Sequence, residues 1–303
     1  MPRLIRSFTS LSFLIALLAG LTVATAQGQE DSVEIEKVVD GIYMITGRGG
    51  NIGLSVGDDT AFLIDDKFAP MTENIMAAVA TVTDKPVEFV INTHWHGDHV
   101  GGNENFGKAG TVILSHDNVR KRMAAPDARR VGDGREPYPD DALPIITFDS
   151  AVTFHLNGQT FRAYHPPRAH TDGDAIIHFE SHNVIHMGDV FFSGLYPFID
   201  IASGGSVDGF IAAMEGGLAL ADEDTKIIPG HGPLSSKEDL AASIAMLKEV
   251  KRRVAAGIAS GKSLEDLLAD EPLADLEEAW AWRFINGKRI YTAVYNDLSS
   301  AGE

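Results

Sequence analysis

The most constraining stretch of the chain lies between Val87 and His99. An apolar, β-prone run, Val87-Glu88-Phe89-Val90-Ile91, passes directly into Asn92-Thr93-His94-Trp95-His96-Gly97-Asp98-His99, so three imidazoles and a carboxylate fall within six residues. Alternate side chains of an extended segment point the same way, so His94 and His96 can face one centre. Gly97 lets the chain turn so that Asp98 and His99 can face a second. Imidazole and carboxylate together suit zinc, and manganese or iron also accept such donors. The bland alternative is a histidine-rich turn that holds no metal.

Composition narrows the chemistry further. The 303 residues include no cysteine, which excludes disulfides, thiolate zinc sites, iron–sulfur clusters and thiol nucleophiles. The net charge of -18 argues against nucleic acid and anionic membrane surfaces as partners, because both are met by clustered Lys and Arg. A small-molecule substrate is the expectation. At the N-terminus, Arg3 and Arg6 precede the apolar run Leu11–Ala19, and Ala24-Thr25-Ala26 follows. This is the layout of a secretory signal peptide over residues 1–26, with cleavage after Ala26 and a periplasmic or secreted destination. The apolar run falls short of the roughly 20 residues that span a bilayer.

Residues 27–303 read as one domain. Short β-type runs at 42–46, 52–56 and 61–64, separated by Gly- and Asp-rich turns, predict an antiparallel meander. Helical periodicity follows over 70–81. The strand 87–91 leads to a further strand at 112–114 and a helix near 118–124. Strand signal resumes at 160–164, 175–179 and 183–186, a helix follows over 207–220, and residues 237–303 are largely helical, with one helix over 277–298. Strands followed by helices in both halves predict sheets packed inside and helices outside. Residues 126–144, with four prolines and two glycines, read as a long loop of the kind that shapes binding sites.

On the His94-x-His96-x-Asp98-His99 motif and the ordered single residues that follow it, the chain resembles the metallo-β-lactamase superfamily. The resemblance runs from about residue 35 to 235 and implies a four-layer αββα sandwich. It implies that His170, in Ala169-His170-Thr171-Asp172-Gly173-Asp174, completes a three-histidine site with His94 and His96. His231, in Pro229-Gly230-His231-Gly232, would complete a second site with Asp98 and His99. Asp189, in Gly188-Asp189-Val190, would bridge the two, and Asp65 would support the metal loop without binding metal. Capping or turn roles are the alternatives for His170, His231 and Asp189.

Two zinc ions so held would share a hydroxide able to attack a carbonyl carbon, because metal binding brings the pKa of water towards ~7. Asp98 would be both a ligand and the catalytic group that orients the nucleophile and passes a proton to the leaving group. The expected activity is hydrolysis of a β-lactam amide by an exported enzyme. A lactone or a thioester is the alternative substrate, and a non-catalytic metal-binding protein the alternative class. The chain departs from β-lactamases in carrying Asp189 where one subclass has cysteine, and Phe192 where that subclass has a substrate-gripping lysine. Expected substrate contacts are Phe192 and Tyr196, in the apolar stretch 191–198, and Arg130, in the loop with Arg129 and Arg135. Trp95 reads as packing, and Trp282 and Phe284 as part of a packed helical cap.

Overall fold

The structure, a computed structural model, describes residues 31–125 and 137–300. The signal-peptide segment and Arg129, Arg130 and Arg135 lie outside the described residues. One sheet holds β1 (Val33–Val39), β2 (Ile42–Gly47), β3 (Ile52–Val56), β4 (Ala61–Ile64), β5 (Val87–Asn92), β6 (Val112–His116) and β7 (Ile146–Phe148), in chain order. Its first four strands are antiparallel, as short turns require, and β4 to β7 are parallel. The crossover from β4 to β5 runs through α1 (Thr72–Ala80), and that from β5 to β6 through α2 (Gly97–Val100) and α3 (Asn103–Lys108). Beyond β6 lies α4 (Asp117–Met123).

The second sheet holds β8 (Ala151–Leu156), β9 (Gln159–Tyr164), β10 (Ile176–Phe179), β11 (Val184–Phe192) and β12 (Lys226–His231), in the order β12-β11-β10-β9-β8. Only the β11–β12 pair is parallel among these, joined by the crossover helix α5 (Val207–Leu220). Behind it come α6 (Lys237–Ala259), α7 (Leu264–Ala269), α8 (Ala274–Trp280) and α9 (Gly287–Ser300).

Apolar side chains from both sheets meet in a shared core. Phe62 of β4 contacts Phe154 of β8 and Phe161 of β9 edge-on, each at 5.0 Å between ring centres, a favoured aromatic geometry. Ile75 and Val79 of α1 cover the outer face of the first sheet. Phe210 of α5, Leu247 of α6 and Tyr291 of α9 cover that of the second. The layers therefore run helix, sheet, sheet, helix, the αββα arrangement expected.

Strands β1, β7 and β8 escape the sequence reading for a physical reason: they lie at sheet edges, where Glu34 and Glu36 in β1 and His155 in β8 break the apolar signal, and β7 is only three residues long. The helix expected over 277–298 is two helices, α8 and α9. Asn286 starts the second, its side-chain oxygen accepting the Arg289 backbone N–H at 3.0 Å. The break leaves residues 281–286 as a loop. β11 extends to Phe192 and is buried along all nine residues, which carries Asp189 into the interior. The ends of β4, β5 and β12 open at the same edge of the sandwich, and there the functional residues gather.

Candidate metal centre

His94, His96, His170 and Asp189 present ligand atoms within 4.8 Å of one another, and Asp98, His99 and His231 do the same beside them. Asp189 lies between the groups. Its Oδ2 is 3.5 Å from His170 Nε2, 3.7 Å from His94 Nε2 and 3.5 Å from His231 Nε2, and its Oδ1 is 3.1 Å from His99 Nε2. Asp98 Oδ2 stands 3.3 Å from His231 Nε2 and 3.8 Å from His99 Nε2. All seven expected ligands are thus brought together, in the two expected sets.

The outer contacts of the imidazoles decide what the inner nitrogens can do. His170 Nδ1 donates to the Phe198 carbonyl at 2.7 Å, and His96 Nε2 donates to Asp200 Oδ2 at 2.9 Å. Thr93 Oγ1 donates to Asp65 Oδ2 at 2.7 Å, so it accepts from His94 Nδ1 at 3.1 Å. With those protons placed outside, lone pairs point inward. His96 Nδ1 faces His170 Nε2 at 2.9 Å and His94 Nε2 at 3.1 Å. Three lone pairs crowded together repel unless a cation sits among them, so this donor set fits a metal ion. In the second group His99 Nδ1 donates to Asp65 Oδ2 at 2.7 Å. His99 Nε2 and Asp189 Oδ1 are buried and close, yet neither makes a hydrogen bond, again as metal ligands would be left.

Charge separates the two groups. Burial pushes His170 down to about 4 and His94 well below the usual imidazole range, so both are neutral donors. At His231 burial acts downward too, but Asp189 and Asp98 outweigh it and raise the ring to about 9. His99 is raised by the same carboxylates against its own burial. Conversely, burial pushes Asp98 and Asp189 upward, and the neighbouring His99 and His231 hold both below the usual carboxylate range.

The scaffold around the ligands is built from close backbone approaches. Gly230 packs so tightly that a Cβ there would lie 2.0 Å from Asp189 Oδ1, and one at Gly50 would lie 2.1 Å from His99 Cε1. Asp65, at the end of β4, accepts from Thr93 N at 2.6 Å as well as holding Thr93 and His99, which is the supporting position expected of it.

Sequence reasoning missed three supporting residues. Asp66 Oδ1 accepts the Gly102 N–H at 2.9 Å, and the buried Lys67 ammonium donates to the Gly50 carbonyl. Asp65 and Lys67 both adopt left-handed backbone, with φ of 66° and 56°. Three consecutive charges directly after a buried strand were the available signal. Asp200 carries no motif; it accepts from His96 and from Ser203 N. Those bonds overcome the upward push of burial and hold its carboxyl at about 2.

A cavity of about 650 Å³ opens beside both groups, with Asp98, Asp189, His96 and His231 in its wall. Phe192 lines it and stacks on His231 at 5.1 Å, with the planes 11° apart. Tyr196 corrects the expectation: it is wholly buried in the core behind the second sheet, because the chain turns inward after Gly194. Trp95, Trp282 and Phe284 correct it in the other direction, since all three line the cavity. The break between α8 and α9 is what brings the last two there.

Residues 45–231 match the family described as the metallo-β-lactamase superfamily, more than half of the chain. The chain belongs to the metallo-β-lactamase superfamily. Among relatives, it is 28% identical over 215 residues to a Caenorhabditis elegans β-lactamase-like protein 2 homolog, covering 67% of this chain and 65% of that one. It is 26% identical over 191 residues to a hydroxyacylglutathione hydrolase from a Polaromonas species, covering 60% and 65%. It is 26% identical over 172 residues to the α subunit of a Nocardioides 2,4-dinitroanisole O-demethylase, covering 54% and 48%. The chain thus spans between about half and two thirds of the length of these relatives. Solved structures share the superfamily fold: a metallo-β-lactamase from Pontibacter korlensis superposes with TM-score 0.59 at 19% identity, covering 72% of this chain and 99% of that one. The DIM-1 metallo-β-lactamase gives 0.60 at 16%, covering 72% and 98%.

Proposed function

We propose that this chain is an exported, dinuclear zinc hydrolase that cleaves a small-molecule ester, thioester, lactone or β-lactam at its carbonyl carbon. The observation that carries the reading is the convergence of donor lone pairs in two groups that share Asp189. His94, His96 and His170 would hold one ion, Asp98, His99 and His231 the other, with Asp189 between them. Bound zinc supplies a nucleophile ionised near neutral pH and polarises the carbonyl under attack.

The protein's own groups do the rest. Asp98, 24% exposed against 5% for Asp189, is the more accessible of the two ligand carboxylates in the cavity wall, so its Oδ2 is placed to orient a nucleophile and to carry a proton to the leaving group. Asp200 and the Phe198 carbonyl fix the tautomers of His96 and His170. Phe192 and Trp282 flank His231 and limit water at that side. Relatives named for hydroxyacylglutathione and for 2,4-dinitroanisole support a small-molecule substrate. Export rests on the arginines, apolar run and Ala-x-Ala of residues 3–26. Among the described residues no helix is long and apolar enough to cross a membrane.

The test is hydrolysis of chromogenic esters and a chromogenic β-lactam by zinc-loaded protein, with and without a chelator. Turnover that a chelator removes and zinc restores is expected. Two bound metals with no turnover on esters, thioesters, lactones or β-lactams would replace the hydrolase with a non-catalytic metal-binding protein.

A further inference from the structure

The wall of the cavity away from the ligands is aromatic. Phe68, Trp95, Phe192, Phe198, Trp282 and Phe284 contribute to it, and none of the described lining residues is Lys or Arg. The acids in the wall are Asp98, Asp189 and Asp200.

Basic side chains do lie near these rings: Arg283 is exposed between Trp282 and Phe284 in the chain, and three others are engaged. Arg48 sits over Phe68 at 4.5 Å and pairs with Asp31 at 2.6 Å. Arg122 lies 5.9 Å from Trp95 and grips Asp172 with two bonds of 2.7 Å. Arg289 covers Phe284 at 4.4 Å and donates to the Phe284 carbonyl. Lys288 and Arg289 line a separate, more open groove that shares only Phe198 and Asp200 with the cavity. Of the seven ligands only Asp98 and Asp189 are carboxylates, with Asp65 and Asp200 supporting ligand histidines, and three of these four acids lie in the cavity wall, where they oppose an entering anion. Among the described lining residues an anionic group would meet no lysine or arginine to replace its water, which is unfavourable. An uncharged ring or chain would bury apolar surface against aromatic faces, which is favourable.

Two of these six rings, Trp282 and Phe284, come from the C-terminal segment, outside the stretch that matches the superfamily, 45–231. Trp282 is anchored by its indole N–H donating to the Tyr196 carbonyl at 2.9 Å, and Tyr196 N donates to the Trp280 carbonyl at 2.7 Å. Phe284 packs edge-on against Phe198 at 5.4 Å. The loop is thus fastened to the segment that also orients His170 and His96.

We infer that the cavity selects uncharged substrates with an aromatic or apolar group next to the scissile carbonyl, neutral esters and lactones in place of anionic β-lactams, and that Trp282 and Phe284 set this preference. The inference rests on the hydrolase reading for the scissile bond, but selection of a neutral ligand can be measured without turnover. Two of the three tryptophans, Trp95 and Trp282, line the cavity, so intrinsic fluorescence reports its occupancy.

The experiment titrates the zinc-loaded protein with 4-phenyl-2-butanone, a neutral ring without a scissile bond, and with 3-phenylpropionate, its anionic counterpart. In parallel, p-nitrophenyl butyrate is compared with mono-p-nitrophenyl succinate as substrate. Saturable quenching by the ketone at tenfold or more lower concentration than the carboxylate is expected, with kcat/KM favouring the neutral ester by a similar factor. Phe284→Ala, at a 43% exposed position, should raise KM for the neutral ester several-fold more than it lowers kcat, and Trp282→Ala should do so further. Equal or tighter binding of the carboxylate, unchanged by Phe284→Ala, overturns the inference. Selective ketone binding without turnover on any ester would instead remove the hydrolase reading and leave the selectivity standing. Turnover that favours the succinate ester would do the reverse.

Discussion

The two ligand groups lie side by side, yet they are supported differently. In the first, each imidazole is gripped from outside: His94 by Thr93, His96 by Asp200 and His170 by the Phe198 carbonyl. In the second, His99 is gripped by Asp65, whereas His231 is flanked by the rings of Phe192 and Trp282, and Asp98 is 24% exposed at the cavity. A ligand set whose ring orientations are fixed in advance loses less freedom on binding metal. The first group is therefore the more firmly oriented of the two, and the proposed function makes it the tighter site.

Mutations can break this contrast, and the largest effect should come from the first group. His96→Ala removes a ligand from the three-histidine set; activity should vanish and most metal with it, by metal analysis and assay of the purified variant. Full activity would show that His96 is no ligand. Next, Asp189→Ala should leave one ion tightly bound and weaken the other, seen as biphasic release to a chelator. Two ions held at unchanged affinity would make Asp189 structural. A smaller loss is expected for Asp200→Asn, which keeps the shape but weakens the hold on His96. Supporting partners of metal-bound histidines are typically worth about 10–100-fold in metal affinity or activity. An unchanged metal affinity and activity would make the His96–Asp200 bond incidental.

The smallest effect lies far from the centre. Glu249 on α6 is held at about 2 by hydrogen bonds from Arg252 and Arg253, and Arg253 also reaches Asp275. Its folded pKa lies below the unfolded value of 4.5, so its contribution is present above that pH and is lost as pH falls towards 2. Arg252 and Asp275 are exposed and Glu249 and Arg253 half-exposed, so solvent screening keeps the contribution small. Glu249→Gln should therefore shift Tm only slightly at pH 7 and leave metal content and activity unchanged. A large Tm shift would mean that α6 and α8 depend on this network more than exposed pairs usually allow.

Legibility in the sequence followed chemistry that is local. The segment from Val87 to His99 places a strand, a turn and four donors in one unbroken stretch, and the structure brings those donors together. The meander and the main helices carry clear periodicity, and so were readable. Asp200 was not, because a lone aspartate after Phe198 and Ile199 acquires its role only when the chain returns to His96, 104 residues away. Tyr196 and Trp282 exchange their expected places for a related reason. An apolar stretch beside a site does not say which rings face inward, and that depended on Gly194 and on Asn286 starting α9. The edge strands were hidden because charged or polar residues interrupt β1 and β8, and β7 is only three residues long.

The most direct measurement is native mass spectrometry of zinc-loaded protein, counting ions in the wild type, His231→Ala and His170→Ala. Two zinc ions per wild-type chain are expected. His231→Ala should keep one resistant to a competing chelator, whereas His170→Ala should keep no ion with that resistance. A wild-type chain that binds fewer than two, or two resistant ions surviving in both variants, would contradict a dinuclear centre built from these seven side chains.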